Sequence, residues 1–163
     1  MTEAKTPHNP KKHTEIKVEI IAPSIHRRHA GLKLNKNRLK QAAQFTCKYF
    51  NLCKADINVL ITGDDEITIL NKRFLKRDRN TDVISFDLSD DLQPQRSFEL
   101  IINAEMAARQ AAQHNHSLQT ELTLYLLHGL LHNLGFDDAK PQQADKMHEV
   151  EDTILKKLGF AKV

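Results

Sequence analysis

The sequence predicts a single α+β domain: a small mixed sheet of about four strands, about five helices and a metal site of the metalloprotease kind. Three observations carry this. Short runs rich in branched residues alternate with segments of helical period. The chain has 163 residues, which suits one domain with a real core and not two comfortable ones. The most apolar helical run carries His128 and His132 four residues apart, followed by Gly135 and Asp138.

Taken in order, residues 1–14 are polar with Pro7 and Pro10, and read as a flexible tail ahead of a domain over 15–163. Residues 16–21 alternate as a strand that Pro23 closes. Asn35 is an N-cap for a helix running to about Phe50, with Leu39, Ala42, Ala43, Phe45, Tyr49 and Phe50 as its buried positions. Residues 55–62 (ADINVLIT) form a second strand. Asp65 and Glu66 then suit the start of a short helix carrying Ile67, Leu70 and Phe74. Residues 82–88 and 98–103 are the third and fourth strands, separated by a loop over 89–96. The alanine-rich segment from Ala104 to His114 is helical. Ser117 caps the histidine-bearing helix, with Thr120 and Glu121 in its first turn. A last amphipathic helix covers about 142–158, with Ala144, Met147, Val150, Ile154 and Leu158 on one side, and Gly159 ends it.

Bulk properties exclude several classes. No apolar run approaches the ~20 residues that span a membrane, and the first residues lack the apolar segment of a secretory signal. Two cysteines, Cys47 and Cys53, make no disulfide framework. They read as plain buried or half-buried residues in a cytoplasmic protein. The net charge of +3 does not imply nucleic acid by itself, but the cations cluster. One zone holds His26, Arg27, Arg28, His29, Lys33, Lys36, Arg38 and Lys40. A second runs over 72–79 (KRFLKRDR), with Arg73, Lys76, Arg77 and Arg79 as candidates to hold a phosphate backbone.

The chemistry concentrates in 128–138, which reads H-x-x-x-H-x-x-G-x-x-D. Residues i and i+4 project from one helix face, so His128 and His132 can grip one ion. Gly135 permits the left-handed turn that brings Asp138 back as a third ligand. Three protein ligands leave a fourth position for water, the arrangement of catalytic zinc. The spacing also matches the metzincin proteases, but their glutamate general base is replaced here by Gly129, which excludes their mechanism.

HGLLHNLGFDD (128–138) resembles the signature of the YbeY family of bacterial rRNA-maturation endoribonucleases. NKRFLKRDRNTDVISF (71–86) resembles that family's second motif through Leu70, Asn71, Asp78, Thr81, Asp82, Val83, Ser85 and Phe86. The similarity covers about residues 15–160. It implies a metal-dependent, single-strand-specific endoribonuclease acting in 3′-end maturation of small-subunit ribosomal RNA and in ribosome quality control. His128 and His132 fall on the first two metal ligands and act catalytically through the water of a single bound zinc; another divalent transition metal is the alternative. The implied partners are ribosomal RNA, the small ribosomal subunit and, beyond these, ribosomal proteins or assembly GTPases, with no membrane. Three departures stand out: Asp138 where the family has histidine, Leu75 where it has arginine, and Phe98-Glu99 where it has Gly-Asp. Aspartate is a competent ligand, and with two histidines it also suits non-haem iron. Asp138 and Leu75 motivate a second reading, a ribosome-associated RNA-binding factor with a structural metal. His114 and His116, at a helix junction, and His148, on the last helix, read as ordinary polar residues.

Overall fold

The computed structural model describes residues 14–23, 25 and 31–160. The expected tail and the cluster His26–His29 lie outside the described residues. The order is β1 (Glu15–Ile21), α1 (Lys36–Tyr49), β2 (Lys54–Thr62), α2 (Asp64–Leu75), β3 (Val83–Asp87), β4 (Arg96–Asn103), α3 (Ala104–Gln113), α4 (Leu118–Asn133) and α5 (Pro141–Lys157). The sheet runs β1-β2-β4-β3, with β1, β2 and β4 parallel and β3 antiparallel at the edge. This is the mixed four-strand sheet and α+β class that the alternating runs predict.

Strand period decides the two faces. Val18, Ile57 and Phe98 stand in register, as do Ile20, Val59 and Leu100, and then Ile61 and Ile102. That face is packed with α1 and α4 and forms the main core. The other face carries Ile84 and Ile101, which α2 covers with Ile67 in a smaller cluster. Helix α4 is apolar nearly all round, the pattern of a buried helix, and it packs against α1, α3, α5, β3 and β4.

Gly129 sets how closely α4 lies on the sheet. A Cβ there would stand 2.7 Å from Leu100 Cδ2 and 3.0 Å from Val83 Cγ2. The residue that removes the protease glutamate thus also serves packing, since a side chain there would force Leu100 and Val83 to shift.

The buried face of α1 is Leu39, Ala42, Ala43, Thr46 and Cys47. This corrects the aromatic positions: Phe45 and Phe50 are half-buried, and Tyr49 is exposed. Thr46 is tolerated inside because its hydroxyl donates to Ala42 O at 2.8 Å. Burial also pushes the Cys47 thiol up to about 12, so it is inert. Phe74, at helical spacing from Ile67 and Leu70 on α2, is exposed and stacks edge-on against Phe86. The fourth strand begins at Arg96, two residues before its apolar run, because Arg96 and Ser97 pair with Ala55 and Asp56.

Asp64, at the start of α2, ties the elements around the 76–82 loop. It accepts two hydrogen bonds from Arg109 (2.7 and 2.9 Å), one from Asn80 (2.6 Å) and one from Asn103 (2.8 Å). Asn103 in turn caps α3 by accepting from Glu105 N and Met106 N. The Arg109 guanidinium beside Asp64, helped by the two amides and opposed by burial, holds the carboxyl well below the usual carboxylate range.

Two predictions follow from the packing and this clasp. Gly129→Val should lower stability by about 1–3 kcal/mol in denaturant unfolding, through overpacking against Leu100 and Val83; an unchanged midpoint contradicts the close approach. A depressed folded-state carboxyl contributes stability above its unfolded value, near 3.8, and loses it as pH falls below that. Asp64→Asn should therefore cost about 1–2 kcal/mol at neutral pH, and its deficit against wild type should shrink below about pH 4. A deficit independent of pH would show that the charge of Asp64 is not what holds the clasp.

Candidate metal centre

Helix α4 ends where its sequence says it must. Leu134 is the C-cap, and Gly135 follows with φ +93°. Gly135 N donates to His132 O and Phe136 N donates to Leu131 O, both at 3.0 Å, a Schellman turn. The reversed chain then brings Asp138 back over the helix end. Asp138 Oδ2 lies 3.5 Å from His128 Nε2 and 3.8 Å from His132 Nε2, and the two Nε2 atoms are 3.1 Å apart. The spacing argument's three residues are thus together.

The donor set fits a divalent ion on two counts. First, bonds of about 2.0–2.2 Å at the tetrahedral angle set neighbouring donors about 3.3–3.6 Å apart, close to the three separations here. Second, the outer ring nitrogens have partners that leave the inner ones free. His132 Nδ1 lies 3.2 Å from Phe136 O, and a carbonyl can only accept, so Nδ1 carries the proton. His128 Nδ1 lies 2.8 Å from Glu151 Oε1, where the buried carboxylate accepts in the same way. With the neutral tautomers these partners favour, both Nε2 lone pairs turn toward the shared space, 3.1 Å apart, where a cation can bind both.

Burial disfavours a charged His128, but the hydrogen bond and charge of Glu151, with the charges of Asp82 and Asp138, outweigh it and raise its pKa. The site is graded in exposure. The side chains of His128, His132 and Asp138 are 20%, 32% and 42% exposed, so it opens on the aspartate side.

Glu151 was not singled out by sequence reasoning. It is 4% exposed and sits on the buried face of α5 between Met147 and Ile154. The available signal was its phase: an acid at i+4 from one core residue and i−3 from another needs a buried partner. His148, one turn earlier, is exposed, as expected for an ordinary polar residue. His114 and His116 differ from their plain reading, because the α3–α4 turn brings them to Glu121.

The candidate phosphate-holding residues Arg73, Lys76, Arg77 and Arg79 are all exposed, at the end of α2 and in the loop after it. Buried Asn71 pins that loop by donating to Arg79 O at 2.8 Å and accepting Arg77 N on its own carbonyl. Lys76 takes a left-handed conformation that ends the helix. A chain of contacts joins this segment to the metal helix: Phe74 meets Phe86, and Asn133, next to His132, donates to Phe86 O at 3.3 Å. Leu75 is 41% exposed and offers no polar atom beyond its backbone.

Comparison with known proteins gives one consistent family. A family model described as Endoribonuclease YbeY matches residues 24–159. A protein named Endoribonuclease YbeY from Aquifex aeolicus is 33% identical over 131 residues, covering 79% of this chain and 87% of its own. Its namesake from Salinibacter ruber is 30% identical over 139 residues, covering 81% and 88%. A solution structure of a Thermotoga maritima protein superposes with a TM-score of 0.57 at 21% identity, over 88% of each chain, and shows the same fold.

Removing the Glu151 carboxylate should loosen the ring of His128 without touching a ligand. Glu151→Gln is expected to weaken metal affinity about 10–100-fold, read by competition with a chromogenic chelator. Affinity equal to wild type would separate Glu151 from the centre.

Proposed function

The chain belongs to the YbeY endoribonuclease family, and from that premise we propose that it is a single-strand-specific, metal-dependent endoribonuclease of small-subunit ribosomal RNA maturation. The observation that supports this most is the convergence of His128 Nε2, His132 Nε2 and the Asp138 carboxylate, with an exposed basic segment linked to the same helix through Phe74, Phe86 and Asn133. Zinc is the proposed ion, held by His128, His132 and Asp138, because two imidazoles and one carboxylate form an accepted catalytic zinc set. When bound, it supplies Lewis-acid polarisation of the phosphoryl group and acidification of water.

The chain's own residues do the rest. Glu151 and the Phe136 carbonyl hold the imidazoles with their Nε2 atoms inward. Arg73, Lys76, Arg77 and Arg79 take the RNA backbone through its charge, with little base readout. A single strand is the proposed substrate because its backbone can bend toward the recessed donors, whereas an A-form duplex is stiff and buries its bases. The proposed setting is the cytoplasm, with the small ribosomal subunit, ribosomal proteins and assembly GTPases as partners. No helix among the described residues is long and apolar enough to cross a membrane. The shared enzyme name of the relatives favours cleavage over a purely RNA-binding role.

In protein freed of contaminating nucleases, His128→Ala should reduce cleavage of a ribosomal RNA fragment by more than the about 10–100-fold typical of second-shell changes, and a chelator should do the same to wild type. Equal cutting by wild type and variant would end this reading. Arg77→Ala should leave metal content unchanged and lower the salt slope of single-strand binding by about 0.7.

A further inference from the structure

The turn between α3 and α4 holds a second convergence of donors, apart from the first. His114 is the C-cap of α3, and Ser117 caps α4. Between them Asn115 adopts φ +56°, and His116 N donates to Ala111 O at 3.1 Å. This left-handed residue brings His114 and His116 to the same side, their rings stacked with centroids 5.7 Å apart. Glu121, one turn into α4, reaches the same place.

Two facts about this cluster call for a ligand. Glu121 is 3% exposed, and the His116 side chain 10%. His116 Nε2 and Glu121 Oε2 stand 3.1 Å apart, yet neither has a hydrogen-bond partner among the described residues. They are neighbours not aligned on each other, at a separation close to the about 3.3 Å tetrahedral edge. A buried polar pair left in this state is costly. The far nitrogen of His116, Nδ1, lies 3.5 Å from the Ser117 carbonyl, which can only accept, and the tautomer protonated there leaves the Nε2 lone pair toward Glu121.

We propose that His114, His116 and Glu121 form a second metal site that takes a borderline divalent transition-metal ion, zinc by its ligand set, and staples the α3–α4 turn. Their ligand atoms lie within 4.8 Å of one another. Exposed His114 is the adjustable member, and its side is where water or a fourth donor enters. Two imidazoles and a carboxylate suit zinc, and disfavour calcium or magnesium, which prefer oxygen-only shells.

The site is distinct from the first. Glu121 precedes His128 by two helical turns, an axial rise of about 10 Å. That exceeds the about 3.5–4 Å of a two-metal catalytic pair. The ion at the α3–α4 turn therefore serves to hold the base of the histidine helix.

The test uses the full-length chain, stripped with chelator and equilibrated with Zn²⁺ alone. Wild type should bind two equivalents, measured by equilibrium dialysis with elemental analysis. A His128→Ala/His132→Ala variant should keep one equivalent, and Zn²⁺ should shift the His114 and His116 ring signals in its NMR spectrum saturably. Adding His114→Ala to that variant should weaken the remaining binding at least tenfold. His114 is exposed, so this change leaves the core intact, and unchanged amide spectra verify that. The proposal is overturned if the double variant binds no zinc, or if its remaining equivalent leaves the His114 and His116 signals unmoved. It is equally overturned if the affinity is indifferent to His114→Ala.

Discussion

The close approach of α4 to the sheet at Gly129 is the constraint on which the site depends. With no side chain at that position, the helix backbone lies against Val83, Ser85 and Leu100. The angular phase of every other α4 residue is then fixed. Glu121, Tyr125, His128 and His132 share one stripe, since on a 3.6-residue helix the four positions fall within about 60° of one another. The stripe is turned about 40–100° from the Gly129 contact, so the polar groups escape the sheet while the helix stays buried. An apolar helix holding four polar side chains needs a partner for each. Glu151 is the partner of His128 and Phe136 O that of His132.

One turn accomplishes several things at the end of α4. The glycine that stops the helix also sends Phe136 back so that its carbonyl fixes the His132 tautomer, and it places Asp138 over the two nitrogens. The Phe136 ring packs on Phe50 with centroids 5.6 Å apart, which anchors the return against α1. The proposed ligand Asp138, the carbonyl that holds His132 and the aromatic anchor therefore come from two residues, Phe136 and Asp138, and their geometry depends on one left-handed residue.

Local signals made much of this legible. Caps at Asn35 and Ser117, the glycine at 135 and the strand alternation each act over a few residues, and the elements follow them closely. His128, His132 and Asp138 were legible because a helix and one turn link them. Glu151 was not, since its distance from His128 along the chain is bridged only by the packing of α5 on α4. The aromatic residues of α1 misled for a related reason. Size suggested that Phe45, Tyr49 and Phe50 were buried, but the phase set by Leu39, Ala42 and Ala43 continues through Thr46 and Cys47. His114, His116 and Glu121 escaped notice because their meeting depends on a non-glycine left-handed turn at Asn115, which no residue pattern announces.

The third ligand decides the character of the first site. Two imidazoles are recessed and have their outer nitrogens held, while the aspartate is the most exposed of the three. A carboxylate contributes a negative charge that a third imidazole would not. As the proposed third ligand it would partly neutralise a bound ion and acidify bound water less than a third imidazole would. The same charge also faces any approaching phosphodiester, so cations must stand nearby to offset it. With leucine at position 75, the proposed cations are the exposed side chains of 73, 76, 77 and 79, at the end of α2 and on a loop that Asn71 pins and that Phe74, Phe86 and Asn133 connect to the histidine helix. The basic segment and the histidine–aspartate cluster thus lie on separate elements, joined through the antiparallel edge strand β3.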